Sequence, residues 1–162
     1  MSKILIATVP VAGHIAPFLP LVRALVARGH EVAWYSGRKY RARIQGTGAR
    51  FFGYVDAPDS DDAALDTTFP ERARHQGMAQ LKFDMKHLFI DAAPGQLADL
   101  ERVLTAFPAD LVLADPGMIG AVFLRERTGI SVGILGVLPP TSTSADVAPF
   151  GFGFAPGSGP MA

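Results

Sequence analysis

The sequence predicts an α/β fold: a Rossmann-like parallel sheet of order 3-2-1-4-5 with helices on both faces. Three observations lead there. Short runs of β-branched and other apolar residues recur along the chain, as strands buried on both faces require. Segments with helical apolar spacing separate them. Glycine and proline punctuate the joins.

Lys3–Val9 is the first such run and predicts a buried parallel strand. Val11-Ala12-Gly13-His14 reads as a turn, and Ile15–Arg28 as a helix with Phe18, Leu21, Val22, Leu25 and Val26 on its apolar face. Pro17 and Pro20 belong near its first turn, where a missing N–H matters little, and Gly29 closes it. Glu31–Tyr35 is a second strand, completing a βαβ unit with a right-handed crossover. Arg38–Gln45 reads as a short helix ended by Gly46 and Gly48, and Arg50–Tyr54 as a third strand. Ala57–Thr68, with Asp59, Asp61, Asp62 and Asp66, is expected to be a mobile surface loop. Pro70–Phe89 and Pro94–Phe107 look helical; Leu111–Asp115 is a fourth strand, Gly117–Thr128 a helix and Ser131–Leu135 a fifth strand.

After Pro139-Pro140 the composition turns to Gly, Pro, Ser, Thr and Phe. Residues 1–140 are therefore read as one incomplete domain and 141–162 as an irregular tail that includes Phe150, Phe152 and Phe154. Such a tail is an unusual end for a natural domain, and the chain is expected to be a cut or partial one.

Bulk composition narrows the function classes. The 162 residues suit one domain; 49% are hydrophobic and 19% charged, a globular balance. Fifteen basic residues offset fifteen acidic ones, so no overall field attracts nucleic acid, and the basic run Arg38–Arg43 reads as a solvated helix face. The absence of cysteine excludes disulfides and thiolate chemistry. The apolar start before Pro10 is too short for a signal peptide or a membrane span, which makes a soluble cytoplasmic protein the expectation.

Ligands of such sheets bind beyond the carboxyl ends of the strands, where strand order reverses. His14 follows the first strand and Asp115 ends the fourth, so they could face one another although 101 positions apart. A histidine there can take a proton from an attacking hydroxyl, and a carboxylate on its other ring nitrogen fixes the tautomer. Each has a plainer reading: both could simply cap helices. His30 follows a helix-ending glycine and reads as structural. His75 and His87 lie twelve apart, without the spacing of a metal pair on a helix, and no metal is assigned. The first turn has a single glycine, Gly13, where a dinucleotide or P-loop fingerprint needs several, so it is a poor phosphate cradle. Met78, Phe83, Met85, Phe89 and Met118 could wall a pocket for a lipophilic molecule; the same stripe also fits a core.

Gly13-His14-Ile15-Ala16-Pro17, continuing through Leu19–Val32 with Arg28-Gly29-His30-Glu31-Val32, resembles the N-terminal signature of family 1 glycosyltransferases, the macrolide-type and UDP-glycosyltransferase branch. Asp110–Asp115 and Pro149–Gly153 support it, and the match is weakest over Ala57–Phe89. The resemblance implies the N-terminal, acceptor-binding half of a two-domain GT-B architecture. It also implies inverting transfer without an essential metal, with His14 as the base and Asp115 orienting it. Gly13, Ile15, Met78, Phe83, Phe89 and Met118 are the expected acceptor contacts. The implied partners are a small hydrophobic hydroxylated acceptor and a UDP- or dTDP-sugar. The sugar nucleotide would be held by a C-terminal donor domain with no counterpart in these residues, so the chain is expected to bind no cofactor and catalyse nothing alone. The competing reading is a non-catalytic binding or assembly module, half of a two-chain transferase or an auxiliary protein, docking through an apolar face. A flavodoxin-like or receiver domain is disfavoured by the first turn.

Overall fold

A computed structural model describes residues 1–137. The tail 141–162, with its three phenylalanines, and the last residues of the domain assigned to 1–140 lie outside the described residues.

Five parallel strands form one sheet: β1 (Lys3–Ala7), β2 (Glu31–Ser36), β3 (Arg50–Gly53), β4 (Leu111–Ala114) and β5 (Ser131–Ile134), in the order β3-β2-β1-β4-β5. That is the predicted order. Leu5 lies opposite Ala33 on one side and Val112 on the other. The strand period of two then sorts side chains to two cores. Leu5 and Ala7 join Leu100, Val103, Ala121 and Leu124 on one face, while Ile4, Ile6, Val32 and Trp34 pack on Ile15, Phe18, Val22 and Ile44 on the other. Each large side chain buried in this way contributes roughly 1.5–3 kcal/mol.

The helices follow from this division. α1 (Ala12–Ile15), α2 (Phe18–Ala27) and α3 (Arg41–Gln45, preceded by a 3-10 turn over Arg38–Tyr40) accompany the β1-to-β3 half. After β3 come α4 (Leu65–Thr68), α5 (Gly77–Asp84) and α6 (Ala93–Ala106); α7 (Ile119–Thr128) links β4 to β5. Gly29 ends α2 with φ 83, its N–H bonded to Val26 O and that of His30 to Leu25 O, a paired closure of the helix. α6 and α7 cross closely because Gly120 has no side chain: a Cβ there would stand 2.5 Å from Gln96 Cβ and 2.8 Å from Leu97 N. No helix among the described residues is long and apolar enough to cross a membrane.

Three expectations need correction. The helix expected over Ile15–Arg28 begins earlier and is split, with His14 inside the single turn α1 and Pro17 starting α2. Pro70–Phe89 is not one helix: a 3-10 turn (Pro70–Arg74), α5 and a π-helical stretch (Met85–Ile90) replace it. The break falls where His75 and Gln76 are extended and Gly77 takes φ 54, which a continuous helix does not accommodate. The acidic stretch 57–68 is not a free loop. Asp59 binds Arg38, Asp61 and Asp62 bind Lys39, and Ser60 is buried.

One buried carboxylate organises the chain leaving β3. Asp99 of α6 accepts the N–H groups of Val55, Asp56 and Ala57 at 3.0–3.1 Å and the Tyr35 hydroxyl at 2.8 Å, with Arg102 alongside. Burial works to raise its proton affinity, but the three backbone N–H groups and the tyrosine hydroxyl outweigh it and hold the carboxyl below the usual aspartate range.

Two outcomes follow. Gly120→Ala is expected to destabilise the fold by roughly 1–3 kcal/mol through overpacking, read as a lower denaturation midpoint at unchanged slope. Because the folded-state pKa of Asp99 is depressed, its contribution is complete above the unfolded value of about 3.9 and is lost as pH falls through the folded value. Asp99→Asn is expected to lower stability at neutral pH and flatten the acid limb of a stability-against-pH curve; an unchanged acid limb contradicts the assignment.

Candidate active site at the β1 and β4 carboxyl ends

The strand order makes β1 and β4 neighbours, so the turns after them share one crevice. Asp115, the first residue past β4, donates its N–H to Ala7 O at 3.1 Å, continuing the ladder by one step. Its side chain, fully buried, then turns to the β1 side. Oδ2 accepts the Val9 N–H at 2.6 Å and Oδ1 the Gly117 N–H at 2.6 Å. Oδ1 also lies 2.9 Å from His14 Nδ1. The two residues singled out from sequence are thus brought together.

His14 reaches this position through α1. Ile15 sinks into the core, while the His14 and Ile15 N–H groups both bond Val11 O at 2.9 and 3.0 Å. The His14 side chain keeps 11% of its surface, enough for one edge of the ring to face outward. The Asp115 carboxylate already accepts two backbone N–H groups, so the proton between the pair is assigned to Nδ1 and the lone pair to Nε2.

Phe89, on the π-helical stretch, lies with its ring centroid 6.3 Å from that of His14. Its approach depends on Gly117, where a Cβ would stand 2.6 Å from the Phe89 ring. Phe89 also lines a small cleft, together with Val9, Val11, Tyr54, Phe69 and His87 among others; His14 itself is not among the lining residues. Tyr54 donates its hydroxyl to Thr8 O at 3.1 Å, and complete burial raises its phenol well above the usual range, so it remains a donor. Phe83 lies with its ring tilted against those of His87, at 4.2 Å between centroids, and His75, at 5.1 Å.

The other expected contacts separate into two groups. Gly13 is exposed, with open space where a side chain would stand; Met78 is exposed and Phe83 half-buried. Ile15 and Met118 do not fit the acceptor-contact expectation: both are fully buried in the two cores and have no surface for a ligand. Apolar type alone cannot separate a pocket wall from the packing behind it. Sequence reasoning misses Tyr54, Phe69 and the cleft-lining place of His87, whose spacing bears only on metal binding. It also misses Asp62, whose Oδ2 accepts the Ala12 N–H at 2.8 Å across 50 positions. No local spacing signals such a contact.

No protein-family model matches the chain. It is similar to 4′-demethylrebeccamycin synthase of Lentzea aerocolonigenes, with 37% identity over 157 residues, which is 97% of this chain and 37% of that protein. Of solved structures, the glycosyltransferase of kitacinnamycin matches with a TM-score of 0.61 and 27% identity over 84% of this chain and 30% of its own. The calicheamicin glycosyltransferase CalG4 matches with a TM-score of 0.67 and 23% identity over 84% of this chain and 32% of its own. The chain thus spans less than two fifths of the length of each of these proteins.

Asp115→Ala would strip partners from two buried backbone N–H groups and from His14 Nδ1. The expected loss is about 3 kcal/mol or more in denaturant unfolding, well beyond that of a surface aspartate.

Proposed function

We propose that this chain, which belongs to the family 1 glycosyltransferases of GT-B fold, supplies the acceptor-binding half of an inverting, nucleotide-sugar-dependent transferase. The observation that carries the reading is the pairing of His14 Nδ1 with the buried Asp115 carboxylate at 2.9 Å, which leaves Nε2 as the basic atom. An acceptor hydroxyl bound at the cleft gives its proton to Nε2 as its oxygen attacks the anomeric carbon of the donor. The new C–O bond forms on the face opposite the departing nucleoside diphosphate, whose C–O bond breaks, so configuration inverts. Asp115 holds the Nδ1 proton and stabilises the imidazolium that develops.

Phe89 stands beside the base and lines the cleft with the apolar Val9, Val11 and Phe69, which favours a small, fairly lipophilic molecule with a hydroxyl; the exposed Gly13 and Met78 and the half-buried Phe83 stand as further expected contacts. The nucleotide sugar belongs to a donor-binding part outside these residues. The first N–H of α1 is taken by Asp62 and so is not available to a phosphate.

The test uses a protein that carries the donor-binding part. His14→Ala is expected to reduce sugar transfer by about 10²–10⁴-fold with little change in acceptor binding. Undiminished transfer would remove His14 from the role of base.

A further inference from the structure

We propose that Asp62 is a positioning residue for His14, holding the backbone of its turn while Asp115 holds its ring. The inference rests on the reading of His14 as the base. α1 is a single turn whose N-cap, Val11, has no side-chain cap to offer. Asp62 supplies it from 50 positions away: Oδ2 accepts the Ala12 N–H at 2.8 Å, two residues before His14.

Asp62 is itself fixed. Its Oδ2 accepts the Tyr40 hydroxyl at 2.7 Å and its Oδ1 pairs with Lys39 Nζ. Lys39 also binds Asp61, and Asp59 takes both the backbone N–H and the Nε of the neighbouring Arg38. Only a glycine at 37 permits this stitching, since a Cβ there would stand 2.5 Å from Pro10 Cβ and 2.8 Å from Asp59 Oδ1. The 3-10 turn after β2, the acidic stretch and the turn after β1 therefore form one chain of contacts that ends on α1. With the ring tied at one end and the backbone at the other, His14 has little freedom to rotate its free nitrogen away from the cleft. Displacement of a reacting group by about 1 Å can cost 10²-fold in rate.

Three variants in the intact protein test this. Asp62→Ala is expected to lower kcat about tenfold with the acceptor KM within about twofold, and nitrogen-15 NMR of His14 is expected to change from one Nδ1–H tautomer to a mixture. Asp62→Asn keeps an oxygen acceptor for Ala12 and should recover most of both signals. Ala12→Pro deletes the same bond from the donor side at a helix position that suits proline, and should reproduce the Asp62→Ala spectrum even if that variant does not fold. Unchanged His14 nitrogens in Asp62→Ala or in Ala12→Pro overturn the proposal. So does an equal loss in Asp62→Ala and Asp62→Asn that tracks a common fall in melting temperature. The NMR readout needs no turnover, so failure of this inference is distinct from failure of His14 as base, which only the His14→Ala transfer rate decides.

Discussion

Asp115 is a carboxylate placed where water cannot reach it, and the arrangement of the crevice follows from satisfying it. An unpaired buried charge is strongly destabilising, so its oxygens need donors on all sides. They find the N–H of Val9 from the turn after β1, the N–H of Gly117 from its own turn and the ring of His14. One side chain thereby fastens two strand ends and a histidine. The same contacts that make the carboxylate tolerable fix which nitrogen of His14 remains available.

That arrangement presupposes the sheet order. Only with β4 beside β1 do the two turns meet, and only with glycine at 117 does Phe89 close on them. Asp99 plays a similar role where the chain leaves β3, gathering three successive N–H groups and so holding the residues after Tyr54 against α6. Two buried carboxylates, one just past β4 and one on α6, thus each fix a neighbouring turn of the backbone. Asp62, from the segment between β3 and α6, secures the turn that carries the histidine.

The sheet was legible in the sequence because its signals are local. Lys3–Val9 and Leu111–Ala114 are largely apolar runs, Gly29 marks a helix end, and the alternation of elements with right-handed crossovers points to a doubly wound parallel sheet. The meeting of His14 and Asp115 followed from that order, with their chemistry as motive and a family resemblance as support. The stretch between β3 and α6 was not legible. Its conformation is set by partners 20 to 50 positions away, such as Arg38 for Asp59 and Ala12 for Asp62, and no period in the sequence encodes them. Ile15 and Met118 were misjudged for a different reason: a residue adjacent to a site and a residue under it share the same apolar character, and a half-turn of helix decides which is which.

The central claim concerns one atom, Nε2 of His14, and a structure of the complex with a hydroxylated acceptor tests it most directly. The account requires the acceptor in the cleft beside Phe89, with the reacting hydroxyl about 2.6–3.2 Å from Nε2 while Nδ1 keeps its bond to Asp115. An acceptor seated elsewhere, or a hydroxyl approached by some other group while Nε2 faces away, would contradict it.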